Sequence, residues 1–329
     1  MILPKEFKII AEVGQAHEGN IVTLHSYIDA VAKTGVKTIK FQAHLSDYES
    51  SKFDKFRTKQ KYSVYSSRKE YWKKMEFTKK QWIDIKKHCE KLGLFFLCSP
   101  FSIEAAKMLD KIGIKAWKIG SGEVSNFPML EYIAKTKKPI ILSSGMSDLK
   151  EIDDSIKLIK KYNKKILLMQ CTSMYPCKDN LIGLNLIKEM KKRYNLPVGF
   201  SDHSGDITTS FSAITLGAEF LELHVIFDKS IETFDTSSSV TLKDIEYLNK
   251  KFNRIKILSN SKMNKNKIMP KIKVMKKLFE KSIFLKKNLK KNHNIKFSDL
   301  SFKKPCIGVH AKDFRKILGK KLKKDVKKD

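Results

Sequence analysis

Arginine is scarce in this sequence of 329 residues: of 67 basic residues only five are Arg, while the formal net charge at pH 7 is +32. Arg binds phosphates and base edges through paired hydrogen bonds, so its scarcity argues against a dedicated nucleic-acid surface. The lysines are spread over segments of helical periodicity, without a basic–aromatic RNA-binding signature. The sequence therefore predicts a lysine-rich, solvated surface and no nucleic-acid partner.

Long apolar runs and paired cysteines are also missing. The longest apolar stretches fall short of the roughly 18 residues that span a membrane, and the first residues, MILPKEFKII, lack the features of a secretory signal. Five cysteines, an odd number without a CxxC pair, indicate reduced thiols. We expect a cytoplasmic protein without membrane contact, and a hydrophobic content of 41% is enough for a large core.

Short apolar runs alternate with amphipathic segments of helical length. The predicted strands are 7–13, 37–42, 94–98, 115–119, 139–144, 165–171, 197–200 and 219–225. The predicted helices lie near 21–34, 78–92, 102–112, 126–136, 148–162, 182–194, 206–217 and 241–257. This alternation predicts an α/β fold, the (β/α)8 TIM barrel. A doubly wound open sheet is the alternative, but no GxGxxG motif follows the first strand.

The barrel domain is predicted over 1–257, followed by a linker and a small second domain. An insertion at 46–76 would lie on the catalytic face, where its aromatic residues could cover a substrate or pack the loop down. The polar segment 258–280 is rich in Asn and Lys and predicts a linker. Residues 281–329 predict a small α/β module with short strands and one helix-like stretch, KDFRKIL.

Polar residues stand at the carboxyl ends of all eight predicted strands, which meet at one mouth of a barrel. In chain order they are Glu12; Lys40 and Gln42; Ser99; Lys118, Ser121 and Glu123; Ser143 and Ser144; Gln170, Thr172 and Ser173; Ser201 and His203; Glu222 and His224. Two lysines among several hydroxyls favour a cradle for phosphate and carboxylate groups. A Schiff-base lysine is the rival interpretation.

His203 and His224 end neighbouring strands, so their imidazoles are expected side by side over the mouth. Such a pair favours a divalent metal with positions left for water and substrate. Glu222 points to the same face as His224 and could assist it. Asp202 alternates away, which predicts a supporting or turn-capping role.

Several segments in chain order resemble the signature segments of the sialic acid synthase family. They are IIAEVGQAHEGN, IKFQAH, LCSPF, AWKIGSGEVSNFP, ILSSGM, QCTSMYP, VGFSDHSG and FLELHV, and the tail KSIFLKK…FSDLSFKKP…ILGK is similar to that family's antifreeze-like (SAF) domain. The resemblance implies condensation of phosphoenolpyruvate with an N-acetylmannosamine-type sugar to give a nine-carbon 2-keto acid and phosphate. It also implies a dimer in which each SAF domain covers the partner's barrel.

The resemblance further implies roles for individual residues. Phosphoenolpyruvate would be bound by Lys40, Ser99, Lys118, Ser121, Ser143, Ser173 and Ser201. The sugar would be contacted by Glu12, Gln42, Tyr175, Asp235 and Lys304. His203 and His224 would hold a divalent metal, with Mn2+ expected first and Mg2+ or Co2+ as alternatives. Glu123 would stabilise a cationic carbon, and Glu12, Glu123 and His203 form the expected catalytic set.

Four features depart from the family pattern. Thr233 and Phe234 replace a Gly-Pro pair before Asp235, Lys304 stands where an Arg is usual, and Ser173 where an Asn is common. The tail ends in GKKLKKDVKKD, so we expect a shortened SAF domain. These changes lie toward the sugar, so legionaminic and pseudaminic acid synthesis from a 2,4-diacetamido-trideoxyhexose remain alternatives. A non-catalytic sugar-phosphate-binding relative is the rival from another class.

Overall fold

The computed structural model describes residues 5–56, 64–267 and 269–329. The chain forms two compact units, Met1–Asn260 and Ser261–Asp329. Part of the predicted insertion at 46–76, residues 57–63, lies outside the described residues. Within the described part, no helix is long and apolar enough to cross a membrane.

The first unit alternates strands and helices along the chain. Its strands are β1 (Ile9–Glu12), β2 (Thr38–Ala43), β3 (Phe95–Pro100), β4 (Trp117–Ile119), β5 (Ile140–Ser143), β6 (Ile166–Gln170), β7 (Val198–Asp202), β8 (Leu221–Ile226) and the short β9 (Val240–Thr241). Its α-helices are α1 (Ile21–Lys33), α2 (Ser46–Glu49), α3 (Arg68–Met75), α4 (Lys79–Lys91), α5 (Ile103–Lys111), α6 (Phe127–Lys135), α7 (Leu149–Tyr162), α8 (Leu186–Tyr194), α9 (Thr208–Thr215) and α10 (Leu242–Asn260).

The strands β1 to β8 are parallel and curve into a nearly closed barrel. Pairing runs in the order β3-β2-β1-β8-β7-β6-β5-β4, and β3 and β4, at the two ends of this order, contact each other. Since β1 pairs with both β2 and β8, Glu12 is in register with Lys40 on one side and His224 on the other. The predicted TIM barrel is confirmed, including all eight strand–helix alternations.

Residues two positions apart in a strand face the same side, so successive inward-facing residues form layers inside the barrel. The lower layer is apolar, and the layer at the mouth is polar. Ile10, Leu97, Ile141 and Phe220 belong to a buried cluster inside the barrel. The residue two positions further on in each strand is Glu12, Ser99, Ser143 and Glu222, respectively. The intervening residues belong instead to the cluster in which the sheet packs against the helices.

The packing inside the barrel leaves no room for a side chain at Gly199 in β7. A Cβ built there would lie 2.6 Å from two ring carbons of Phe220. We expect Gly199→Ala to destabilise the barrel by about 1–3 kcal/mol, since the rigid ring or the backbone must move. Urea unfolding measures this effect, with Gly122→Ala as the control because its Cβ would meet nothing within 4 Å. Equal stabilities of the two variants would contradict the packing argument.

The second unit contains α11 (Pro270–Phe279), β10 (Ser282–Leu285) and β11 (Leu300–Lys303), and β10 and β11 are antiparallel. The segment predicted as a linker, 258–280, holds the end of α10 and the whole of α11. The stretch KDFRKIL contributes to a 3-10 turn at Ala311–Lys316 rather than to an α-helix. The tail pairs back through bridges from Leu289 to Val326 and from Asn294 to Lys321.

Candidate active site

A cavity of about 290 Å³ opens at the carboxyl ends of the barrel strands. The residues that were predicted from the strand ends and the resemblance, and that line it, are Glu12, Lys40, Gln42, Ser99, Lys118, Ser121, Glu123, Ser143, Ser173, Tyr175, Ser201, His203, Glu222 and His224. The geometry therefore brings most of the predicted site into one concave surface.

Two buried lysines and two buried carboxylates form the floor of the cavity. Lys40 Nζ lies 2.7 Å from Glu12 Oε2 and 3.7 Å from Glu222 Oε1. Lys118 Nζ lies 2.9 Å from the same oxygen of Glu222. Gln42 Nε2 donates to Glu12 Oε1 at 2.8 Å. Glu12 and Glu222 together balance the charges of the two lysines. That Glu222 also assists His224 stays a prediction.

The two lysines differ in their electrostatic surroundings. Burial acts to lower the pKa of Lys40, but Glu12 and Glu222 outweigh burial and raise the pKa. For Lys118, burial lowers the pKa, with Glu222 opposing the shift and the charge of Lys40 adding to it. Burial would raise the pKa of Glu222, but Lys118 and Lys40 lower it. The carboxylate is thereby held ionised between the two ammonium groups.

Several serine hydroxyls around this floor are available to a ligand. Ser143 Oγ and Ser173 Oγ are buried without a hydrogen-bond partner among the described residues. Ser99 Oγ accepts from Lys40 Nζ at 3.5 Å, and Ser121 Oγ accepts from the Gly145 N–H at 3.0 Å. A buried hydroxyl is normally hydrogen-bonded, so the two unpaired ones indicate a polar ligand. Next to two lysines, that ligand is expected to be an anion.

His203 and His224 lie together above the floor, with ring centroids 5.5 Å apart. His203 Nδ1 lies 2.8 Å from the Thr172 carbonyl oxygen, which can only accept. Nδ1 therefore carries the proton and Nε2 keeps its lone pair. Burial, with the neighbouring His224, lowers the pKa of His203 to about 3, so the ring is neutral at physiological pH. A neutral imidazole with a free lone pair fits a metal ligand.

The second imidazole has a carboxylate beside it. His224 Nδ1 lies 3.5 Å from Asp235 Oδ2, and both side chains are buried. The ring of Tyr175 stacks on that of His203 at 4.2 Å and meets that of His224 edge-on. Two imidazoles and a nearby carboxylate are a donor set that suits a divalent transition metal.

Asp202 and Glu123 occupy different surroundings near the mouth. Asp202 accepts from the Ser204 N–H at 2.9 Å, from Ser210 Oγ at 3.1 Å and from Thr209 Oγ1. This agrees with the turn-capping role inferred from its position. Glu123 accepts from Asn126 Nδ2 at 2.7 Å, and burial, with a contribution from Glu49, raises the pKa of Glu123.

The insertion after β2 supplies residues that sequence reasoning missed. Arg68 and Trp72 of α3 line the cavity, together with Asp54, Glu49, His44, Gln15 and Phe101. The ring of His44 stacks on Trp72 at 4.1 Å, and its Nε2 lies 3.1 Å from Gln42 Oε1. This contact ties the insertion to the floor. The aromatic residues of the insertion therefore have two different positions. Trp72 lines the cavity, where it could cover a substrate, whereas Tyr71 packs the insertion against Phe234.

Some predicted residues lie elsewhere. Ser144, Gln170 and Thr172 line a separate depression beside α7 and α8, because they follow their strands on the outward-facing side. Lys304 belongs to the second unit, where its Nζ lies 4.7 Å from the centroid of the Phe279 ring. Its predicted contact with the sugar stays a prediction.

Glu18 makes the stability of the barrel dependent on pH. Its Oε1 is buried, and burial, with the nearby Asp235, raises the pKa of Glu18 from 4.5 to about 7. The fold therefore favours the protonated form, and stability is lost as pH rises from about 4.5 to 7. We expect Glu18→Gln to be more stable than the parent at pH 8 by about 1–3 kcal/mol, a gain that vanishes at pH 4.

Thermal unfolding at the two pH values measures the gain of Glu18→Gln. The exposed Glu232 provides the control, since Glu232→Gln should change stability equally at both. A Glu18→Gln effect that is the same at both pH values would rule out Glu18 as the titrating group.

Comparison with known proteins identifies a matching protein family, related sequences and a similar crystal structure. The model of the NeuB family matches residues 27–264. An uncharacterized protein of Methanocaldococcus jannaschii is 33% identical over 98% of this chain and 91% of its own length. The N,N'-diacetyllegionaminic acid synthase of Campylobacter jejuni is 31% identical over 99% of this chain and 98% of its own. A crystal structure of N-acetylneuraminic acid synthetase from Leptospira borgpetersenii superposes with a TM-score of 0.71 at 28% identity, covering 82% and 90% of the two chains.

Proposed function

Because the chain belongs to the NeuB family of sialic acid synthases, we propose that it condenses phosphoenolpyruvate with an N-acetylmannosamine-type sugar and water. The products would be a nine-carbon 2-keto sugar acid and phosphate. The observation that carries this proposal is the floor of the cavity. There Lys40 and Lys118 are buried beside serine hydroxyls without partners among the described residues, which suits a substrate that carries both a carboxylate and a phosphate.

The phosphoenolpyruvate end of the site would consist of the two lysines and five serines. Lys40 and Lys118 would bind the phosphate and carboxylate as point charges, and Ser99, Ser121, Ser143, Ser173 and Ser201 would donate hydroxyl hydrogen bonds. The charges of Glu12 and Glu222 keep the lysines at fixed positions before the substrate arrives. Such preorganisation lowers the cost of ordering the site during reaction.

The sugar end of the site would consist of the imidazole pair and nearby polar side chains. His203 and His224 would hold a divalent cation, with Mn2+ proposed first, and Tyr175, Asp235, Gln42 and Glu12 would contact the open-chain sugar. When bound, the cation supplies Lewis-acid polarisation of the aldehyde oxygen. The neutral His203, with Nδ1 held by Thr172, keeps Nε2 directed for this purpose.

The bonds change in a balanced sequence. The methylene carbon of phosphoenolpyruvate attacks the aldehyde carbon, and a carbon–carbon bond forms as the π bond of the aldehyde breaks. The electron pair of that π bond moves to the aldehyde oxygen, which takes up a proton from the solvent. The neighbouring carbon is left cationic, and the Glu123 carboxylate stabilises it electrostatically. Water adds to that carbon and gives up a proton, for which the raised pKa suits Glu123 as acceptor. The carbon–oxygen bond to phosphate then breaks while the new hydroxyl loses its proton to the departing phosphate, and the carbonyl of the 2-keto acid forms.

The acceptor can be narrowed to acetamido hexoses. Two of the relatives described above are named for different products, N,N'-diacetyllegionaminic acid and N-acetylneuraminic acid. We therefore propose N-acetylmannosamine as the first acceptor, and the 2,4-diacetamido-trideoxyhexoses of legionaminic and pseudaminic acid synthesis as the alternatives.

An acceptor panel tests the proposal. The purified protein, with Mn2+, is expected to release phosphate from phosphoenolpyruvate with at least one of these sugars, and not when sugar or cation is left out. The sugar with the highest kcat/KM identifies the acceptor. A panel without any sugar-dependent phosphate release would overturn the synthase assignment and favour a binding protein.

A further inference from the structure

The second unit contains a group of metal-ligand side chains that the proposed reaction does not use. Glu280, Cys306 and His310 each offer one ligand atom, and these atoms all lie within 4.8 Å of one another. Among the described residues this is the group of three or more His, Cys, Asp and Glu side chains that meets this criterion. We propose that the Glu280–Cys306–His310 cluster is a zinc-binding site, separate from the imidazole pair of the barrel.

Backbone hydrogen bonds hold two of the ligands in place. The Cys306 N–H donates to the Lys277 carbonyl oxygen at 2.9 Å, which joins Cys306 to the last turn of α11. His310 pairs with Ser282 in an antiparallel bridge. The turn between them is closed by Ser282 Oγ, which accepts the N–H groups of Ile307 at 2.8 Å and Gly308 at 3.0 Å.

Glu280 completes the cluster from the end of α11. Its N–H donates to the Lys276 carbonyl oxygen at 2.8 Å, so the residue continues directly from the helix. Its Oε2 lies 3.7 Å from His310 Nδ1. Two ligands of a tetrahedral zinc ion, at bonds of about 2.1 Å, are about 3.4 Å apart. The Glu280–His310 pair therefore needs only a small contraction to hold an ion, and the Cys306 thiol lies within 4.8 Å of a ligand atom of each partner.

The ligand types favour zinc over the hard cations. A thiolate with an imidazole selects zinc-like ions, whereas Mg2+ and Ca2+ take oxygen ligands. Cys306 and His310 are separated by three residues, so one turn of the chain supplies both ligands. Cys306 is buried while Glu280 and His310 are partly exposed, which leaves an entry path and a fourth position for water.

The positive charge of nearby lysines disfavours a bound cation, and the Glu280 carboxylate offsets part of that charge. Lys276 Nζ lies 3.4 Å from Glu280 Oε1. The other oxygen, Oε2, is the one that faces His310, so Glu280 can keep its lysine contact and still bind an ion. On binding, the Cys306 thiol must lose its proton to the solvent, so the affinity should rise with pH.

Occupancy would fix a segment that carries a predicted sugar contact. Lys304 precedes Cys306 by two residues and lies over Phe279, the last residue of α11. An ion held by Cys306 and Glu280 would cross-link the turn at 304–310 to the end of that helix. The proposed consequence is a metal-dependent stability of the second unit.

Cobalt binding to the full-length chain tests the site, because a thiolate ligand produces a charge-transfer band in the near ultraviolet. The metal-free parent protein and the His203→Ala/His224→Ala variant are both titrated with Co2+, and zinc stoichiometry is measured by equilibrium dialysis. We expect the band in both proteins, and one zinc per chain retained in the double variant. Cys306→Ser should abolish the band.

Further variants separate a binding defect from a folding defect. His310→Gln and Glu280→Gln change partly exposed side chains, and each should weaken zinc binding by more than about 10-fold, the lower range for changes outside the direct ligands. Cys171→Ser, which changes the thiol that lines the barrel cavity, should keep the band. The proposal is overturned if the parent lacks the band, if the band survives Cys306→Ser, or if Cys171→Ser removes it.

Discussion

Replacing Lys118 with methionine is expected to lower the rate of phosphate release from phosphoenolpyruvate by about 100- to 1,000-fold. Lys118 Nζ lies on the cavity floor, 2.9 Å from Glu222 Oε1. It has little other reason to be buried, since burial itself lowers its pKa. Methionine keeps the length and the apolar stem but removes the charge that would meet the substrate anion. Steady-state kinetics over a range of phosphoenolpyruvate concentrations measure the loss in kcat/KM.

Two controls separate function from folding in this experiment. Lys118→Met also leaves Glu222 with Lys40 alone at 3.7 Å; removing one partner of a buried ion pair costs up to about 3–5 kcal/mol. The double variant Lys118→Met/Glu222→Gln should recover most of that stability without recovering activity. Lys115→Met removes an exposed lysine paired with Glu90 and should leave the rate unchanged. A Lys118→Met enzyme as fast as the parent would remove this lysine from the anion site.

Replacing His203 with alanine is expected to abolish turnover that depends on a divalent cation, with a loss of at least about 100-fold. The tautomer fixed by the Thr172 carbonyl directs Nε2 to the cavity. Among the described residues, the hydrogen bond of Nε2 is a long one of 3.5 Å with Ser201 Oγ. Direct Mn2+ binding, followed by equilibrium dialysis, should weaken together with the rate. His224→Ala should behave in the same way.

The control for the imidazole pair is a histidine on the outer face of the barrel. His88 lies 2.8 Å from His25 and 3.0 Å from Asp29, between α1 and α4. His88→Ala should leave the rate and the Mn2+ affinity unchanged. An undiminished rate in His203→Ala or His224→Ala would exclude that residue as a metal ligand.

The barrel and the floor of its cavity could be predicted from sequence because both follow from periodicity. Alternating strands and helices determine the fold, and the period of two in each strand directs Glu12, Ser143 and Ser201 into the mouth once their apolar neighbours fill the interior. The same rule predicted that Glu222 faces inward. It did not reveal which charge Glu222 meets, because Lys118 is 104 positions away in sequence.

Some residues of the site, and helix α11 of the second unit, were not predicted from the sequence, for physical reasons. Arg68 and Trp72 lie in an insertion whose position over the cavity depends on a tertiary contact, the stacking of Trp72 on His44. Helix α11 was not predicted within the 258–280 segment, because lysine and asparagine dominate its surroundings. The signal that could have revealed it was Pro270 at the first helical position, followed by apolar residues at helical spacing in KIKVMKKLF.

The fate of the bridging oxygen of phosphoenolpyruvate tests the central claim most directly. The proposed sequence breaks the bond between carbon and that oxygen after water has added to the carbon. With a heavy-oxygen label in the bridging position, the preferred sugar and Mn2+, mass spectrometry should find the label in the released phosphate. It should also find oxygen from water in the 2-keto acid. Label retained in the organic product, or no nine-carbon product at all, would contradict the account.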